Sequence, residues 1–215
     1  MASWLAVVEG EIMYASHRTD GIGSVAQDAM SLAKDRGAAM EIMASCTLCN
    51  ALSIQRDWQS MLQVATDTLR RIRETGTLGL WEPLFFAHIA NAHLELGQVP
   101  LARAAAQAGV DFMRESKSVF SPRSYALFAR AQLELLEPAT DIASTLDEYA
   151  TLLERTRFRL YAGELDELRA RLAEREGQKT ERSAALTRAH DCYTRFGMTA
   201  QAARIAGLQA PGLDA

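Results

Sequence analysis

Residues 82–116 read EPLFFAHIANAHLELGQVPLARAAAQAGVDFMRES. Pro83 opens an apolar-periodic run that ends at Leu96, Gly97-Gln98 follows, and a second run starts at Val99 with Pro100 in its first turn. Proline early in a helix removes a donor that has no partner there anyway. Glycine after the last turn takes the left-handed conformation that closes a helix. The spacing therefore predicts helices over about 82–96 and 99–116, joined as a tight hairpin. Small residues (Ala90, Ala92, Ala102, Ala105, Ala106 and Gly109) suit the lower end of the roughly 8–10 Å between packed helices.

The same punctuation recurs outward from this stretch. Gly97 and Gly177 are 80 residues apart. Half a period out of phase, Gly37 and Gly76 are 39 apart and Gly197 lies 160 beyond Gly37. A grid of helix stops at about forty residues is the mark of stacked helical hairpins. The apolar spacing predicts helix pairs at about 2–18 and 23–36, 38–54 and 58–75, 82–96 and 99–116, 122–136 and 139–156, and 159–176 and 179–196. Asp20-Gly21-Ile22-Gly23 and Glu137-Pro138 supply further turns, and none of the five prolines breaks a run. In the fifth pair Leu165, Leu168 and Leu172 form one stripe, and Ala185, Ala189, Tyr193 and Phe196 a matching one. Thr199 is expected to cap a short final helix through Leu208. Sustained two-residue alternation is missing from the sequence, and its one Asp-Gly step, Asp20-Gly21, joins two helical runs rather than two strands. The expected fold is all-α: a right-handed α-solenoid of five helical hairpins over residues 1–208, closed by the capping helix, with 209–215 a frayed tail. Each hairpin has an apolar stripe too wide to bury alone, so stacking completes it and leaves a concave face lined by the first helix of each pair.

Composition narrows the function classes. The chain has 215 residues, 48% of them hydrophobic, and a formal net charge of −4 with pI near 5.6. That balance opposes a general affinity for nucleic acid or anionic membrane. No apolar stretch approaches the roughly 20 residues of a membrane span. The apolar start (Trp4, Leu5, Val7, Val8) lacks a basic leader and carries Glu9 and Glu11, so it does not read as a signal peptide. Three cysteines without a secretory signal point to reduced thiols in the cytoplasm, as small buried hydrophobes.

Phe86-Ala87-His88-Ile89-Ala90-Asn91-Ala92-His93-Leu94-Glu95-Leu96-Gly97-Gln98, followed by Ala102, resembles a tetratricopeptide helix pair. Phe86 stands where that motif has its tryptophan, Ile89 and Ala90 where it has Leu-Gly, and His93 where it has tyrosine. Ala102 and Gly109 match its small positions. The period is near forty rather than about thirty-four, which implies longer helices, as in the tetratricopeptide-like solenoids of bacterial regulatory ATPases. Over residues 74–208, Glu74-Thr75-Gly76, Pro83-Leu84-Phe85, Ala92-His93-Leu94, Gly97-Gln98, Glu164-Leu165, Leu168-Arg169-Ala170 and Tyr193-Thr194-Arg195-Phe196-Gly197 recur in an order similar to the C-terminal region of certain multidomain bacterial proteins. Those proteins join a class III nucleotide cyclase or a LuxR-type DNA-binding domain to a signalling ATPase and a helical-repeat tail. The resemblance implies a sensor or scaffold segment. The family's catalytic domains would lie N-terminal to it, so no cyclase or ATPase residue transfers to this chain.

Candidate chemistry is sparse. Cys46-Thr47-Leu48-Cys49 is a C-x-x-C in mid-helix, without the strand-to-helix context of a redox motif or a second pair for zinc. Asp20-Gly21-Ile22-Gly23-Ser24 lacks the lysine and preceding strand of a phosphate loop. His17, His88, His93 and His190 form no close ligand pair and read as core or surface histidines. Glu164, Asp166 and Glu167, like Arg169, Arg171, Glu174 and Arg175, read as a solvated face. One column stands apart: Glu9, Asn50, Asn91, Arg130 and Arg171 fall at equivalent positions on successive first helices. In tetratricopeptide proteins that position faces the groove, where an asparagine can pair with a ligand backbone. Arg123, two turns before Arg130, could help hold a carboxylate. The reading is a non-catalytic signalling module without cofactor or metal. It would bind a protein, a peptide or a small effector through Asn50, Asn91, Arg123, Arg130 and Arg171. Self-association through the N-terminal edge at Trp4, Leu5 and Val8 is the alternative.

Overall fold

A computed structural model describes residues 2–15, 20–117, 119, 121, 123–134 and 142–209. Eleven α-helices follow one another among them, with two 3-10 turns and no strand. They are α1 Ala2–Ala15, α2 Ile22–Ala33, α3 Ala38–Gln55, α4 Trp58–Thr75, α5 Glu82–Glu95, α6 Val99–Ser116, α7 Arg123–Glu134, α8 Ile142–Thr156, α9 Ala162–Arg175, α10 Lys179–Arg195 and α11 Thr199–Gln209. Gly76, Gly97, Gly177 and Gly197 have φ between 64° and 74° just after a helix; Gly37 is corrected, because α2 already ends at Ala33 and Gly37, at φ 96° and ψ 161°, caps the start of α3 instead. Pro83 and Pro100 each occupy the first turn of a helix. Pro122, Glu137, Pro138, His17 and the tail from 210 lie outside the described residues, as does the Trp4 side chain.

The chain divides into two compact units, Met1–Ala131 and Gln132–Ala215. In unit 1, α3 is the centre. It carries one charged residue, Glu41, and buries Ile42 to Thr47 without a break, then Cys49, Asn50 and Ala51. A helix apolar on every side must be covered on every side, and α1, α2, α4 and α5 all pack against α3. Gly10 on α1 lies so close to α3 that a β-carbon there would overlap the Thr47 side chain. Gly109 on α6 is equally constrained: a β-carbon would stand 2.7 Å from Ser124 Oγ and 3.2 Å from Phe86 Cβ. By contrast α4 is amphipathic, burying Met61, Ala65, Thr68, Leu69 and Ile72 against Phe85 and Ala92 of α5.

The first helices form a contiguous row, α1 on α3 and α3 on α5. From α7, the Ser124 hydroxyl donates to the Pro83 carbonyl at 3.1 Å. Arg123 at the start of α7 donates to the Tyr14 hydroxyl near the end of α1, with its guanidinium 5.6 Å from that ring's centre. A pair 109 residues apart in sequence thus ties the fourth first helix to the first.

In unit 2, α9, α10 and α11 share a core of Ala170, Ala185, Leu186, Ala189, Tyr193, Met198 and Ile205. Gly163 lets the Tyr193 ring lie against the α9 backbone. Two expectations are corrected here. Phe196 is 38% exposed, and Met198, at 5%, fills the core position in its place. Thr199 is the first helical residue rather than the cap: the Met198 carbonyl accepts from Ala202 N at 3.0 Å, which puts Met198 at the cap.

Candidate functional site

The most polar part of the unit 1 interior lies along the row of first helices. Cys46, Thr47, Cys49 and Asn50 on α3, His88 and Asn91 on α5, and Ser124 on α7 are all buried. Cys46 Sγ is 3.8 Å from His88 Nε2, a weak polar contact, and the Phe85 ring is tilted against the imidazole with centroids 6.2 Å apart. Burial first, and the Arg123 guanidinium second, hold the His88 pKa down at about 3. A neutral, enclosed imidazole of this kind packs as a core residue. The hydroxyls of Thr47 and Ser121 are buried without a hydrogen-bond partner among the described residues.

The column read from the sequence is placed as follows. Asn50 and Asn91 are 2% and 9% exposed, inside the α3–α5 layer. Arg123 is engaged with Tyr14, and Arg130 pairs with Glu95 at 3.0 Å. Glu9 is exposed on α1. The structure thus gathers Asn50, Asn91, Arg123 and Arg130 into unit 1, with both amides inside the packing rather than on its surface. Arg171 belongs to unit 2, where it meets Glu134 at 3.7 Å.

Among the described residues, one accessible hollow of unit 1 is on the side of the second helices. α2 and α4 both pack on α3, and a cleft of about 560 Å³ is lined by residues of all three helices, with α3 as its floor. Leu48 and Ser45 form the floor, with Met30 and Lys34 on the α2 side and Val64, Asp67, Thr68, Arg70, Arg71 and Glu74 on α4. The Ser45 and Thr68 hydroxyls donate to carbonyls of their own helices. Arg71 pairs with Glu41 across the α3–α4 contact. Asp67 accepts from Gln63 at 2.7 Å and from Arg70 at 2.6 Å; the Gln63 bond, then Arg70, hold its carboxyl below the usual range. The result is a hollow in which Met30, Leu48 and Val64 are the apolar side chains and the walls carry both signs of charge.

Unit 2 corrects one further expectation. The α9 carboxylates are not a solvated face. Asp166 is 9% exposed and accepts from Arg188 Nε at 2.9 Å. Glu167 accepts from the Tyr193 hydroxyl at 2.5 Å and from Arg204 at 2.6 Å, and Glu164 faces the Tyr149 hydroxyl at 3.4 Å. Burial, reinforced by Glu167, pushes the Tyr193 hydroxyl pKa well above its ordinary value. These groups fasten α8, α10 and α11 to α9. Cys192 is half-buried, and its thiol donates to the Arg159 carbonyl at 3.6 Å.

No protein-family model, curated protein or solved structure matches this chain. Among the described residues, no three His, Cys, Asp or Glu side chains are grouped to hold a metal ion, and no helix is long and apolar enough to cross a membrane. The cleft had one signal in the sequence. Asp67, Arg70, Arg71 and Glu74 recur at i, i+3, i+4 and i+7, a charged stripe on α4. The repeat pattern could not show that a cleft opens on α3 between α2 and α4.

Proposed function

We propose that the chain is a non-catalytic interaction module, a tetratricopeptide-like solenoid of five hairpins and a capping helix, that holds a segment of a partner protein in the cleft between α2 and α4. The cleft itself carries this reading: about 560 Å³, lined by Met30, Leu48 and Val64 together with charged side chains of both signs. An extended or helical segment with an apolar face and flanking charges matches that lining. The sequence resemblance over residues 74–208 supports reading the module as part of a regulatory protein, in which a nucleotide cyclase or a transcription factor would supply the output. The net charge of −4 favours a protein partner over nucleic acid.

Peptide display on the folded full chain tests the assignment. Selected peptides should lose affinity about tenfold or more when Lys34→Glu and Arg70→Glu invert two wall charges. Both residues are exposed, so the fold should survive. Undiminished binding to that variant removes the cleft as the site. Loss on Arg130→Ala instead would move recognition to the row of first helices.

A further inference from the structure

The hollow on α3 has filled counterparts on other first helices. Left-handed residues follow α2, α4 and α6 at Asp35, Gly76 and Lys117, in steps of 41 positions. Those after α3 and α5, Arg56 and Gly97, are 41 apart again. That step sets the register between these hairpins. Advanced by it, Ser45, Leu48 and Thr68 of the cleft become Phe86, Ile89 and Gly109. Phe86 on α5 meets both of the second helices beside it. The Arg73 guanidinium of α4 lies 5.4 Å from the centre of its ring, and a β-carbon at Gly109 of α6 would stand 3.2 Å from its own. In unit 2 the register follows Gly97 and Gly177, 80 apart, and Phe86 becomes Asp166 on α9. There the ion pair with Arg188 of α10 covers the position, leaving Asp166 9% exposed.

Ser45 is too small to reach across. Its hydroxyl turns back to the Glu41 carbonyl at 2.8 Å, and the Thr68 hydroxyl turns back to the Val64 carbonyl at 2.7 Å. The space that a ring takes above Phe86 is thus open above Ser45, within the hollow of about 560 Å³. Its lining suits a ring better than an aliphatic chain. Met30 brings a thioether, which packs well at the edge of an aromatic ring. Arg70 brings a guanidinium, the group that Arg73 lays over Phe86. Leu32 stands on α2 at the register position of Arg73 and is 41% exposed, which adds an aliphatic side chain at the edge.

We infer that the α2–α4 cleft, taken as the docking site proposed above, is a slot for one aromatic side chain of the partner segment. That side chain takes above Ser45 the place that Phe86 fills in the next hairpin. The partner supplies from outside the ring that the chain supplies for itself one hairpin later. An aromatic anchor of this kind carries much of the affinity of a short segment, because it brings a large apolar area with few torsions to immobilise.

Peptides selected from a random displayed library on the folded full chain are the probe. Those seated in the cleft are the ones that lose affinity on Lys34→Glu with Arg70→Glu. Each should carry a Phe, Tyr or Trp whose replacement by Ala weakens binding about tenfold or more. In methyl NMR spectra that ring should move the Met30, Leu48 and Val64 signals upfield. Ser45→Phe restores the side chain of the next hairpin. It should keep the helical circular dichroism and weaken the same peptides about tenfold or more, whereas Ser45→Ala should leave them unchanged. Cleft-seated peptides that need no aromatic residue, or that bind Ser45→Phe as they bind wild type, overturn the aromatic slot and leave the cleft a docking site. Peptides indifferent to Lys34→Glu with Arg70→Glu overturn the cleft itself, and the slot with it. The alanine replacements and the methyl shifts are read on wild type, so they decide the matter even where Ser45→Phe does not fold.

Discussion

His88 shows how a single residue's setting fixes its chemistry. Its ring is enclosed by Phe85, Cys46 and the α3–α5 packing, and the nearby charge is the like charge of Arg123. The imidazole therefore stays neutral in the fold, with a pKa near 3 against 6.5 in the unfolded chain. Below pH 6.5 the unfolded chain takes up a proton that the fold refuses, so stability falls as pH drops and flattens again only below about 3. Each pH unit inside that window costs about 1.4 kcal/mol. Urea unfolding between pH 7 and pH 5 should show this slope in wild type and lose it in His88→Gln. An equal slope in both proteins would mean that His88 is protonated in the folded state. From the sequence His88 was legible as a core or surface histidine. Its neighbour Arg123 was not, because no local pattern links residues 35 positions apart.

At the scale of the element, most described helix limits were legible to within a residue or two, because many stops are written in backbone chemistry; the exceptions are the end of α2, three residues before the expected 36, and the start of α9, three residues after the expected 159. Gly97, Gly177 and Gly197 sit at φ 72°, 74° and 70°, where a β-carbon is penalised. The gaps in the glycine grid have a physical origin too. Arg56 and Lys117 take the same left-handed cap at φ 59° and 55°, after α3 and α6, without being glycine. Those caps carry strain that glycine would relieve. Lys117→Gly should therefore stabilise the protein by up to about 1 kcal/mol, and Gly97→Ala should destabilise it by about as much. Chemical denaturation of the two variants checks both signs at once. A destabilised Lys117→Gly would show that the lysine side chain holds the end of α6 in some other way. Side-chain destinations were less legible than helix limits. Phe196 continued a stripe on paper, but the chain turns at Gly197 and delivers Met198 to the core. The acidic run on α9 looked solvated because its partners, Arg188, Tyr193 and Arg204, arrive from later helices.

At the scale of the whole molecule, unit 1 is organised around α3, and that organisation sets which parts open first. An asparagine in the middle of an apolar helix was visible in the sequence, but its reading as a groove residue depended on a free inner face. The Arg123–Tyr14 contact between α7 and α1, and the 2% exposure of Asn50, show that this part of the first-helix layer is packed. A helical period encodes neighbours along the row and carries nothing about how tightly the row curls. Opening α3 requires α1, α2, α4 and α5 to part from it, whereas α1 loses contact with α2 and α3 only along one face. Local opening free energies follow such differences in burial, from near zero at exposed helices to the global value in the core. Native-state hydrogen exchange should therefore find the amides of residues 44–51 among the slowest in unit 1, and those of residues 5–12 faster by about tenfold or more. Equal protection of α1 and α3 would mean that unit 1 opens as a single block, with α3 holding no special place in it.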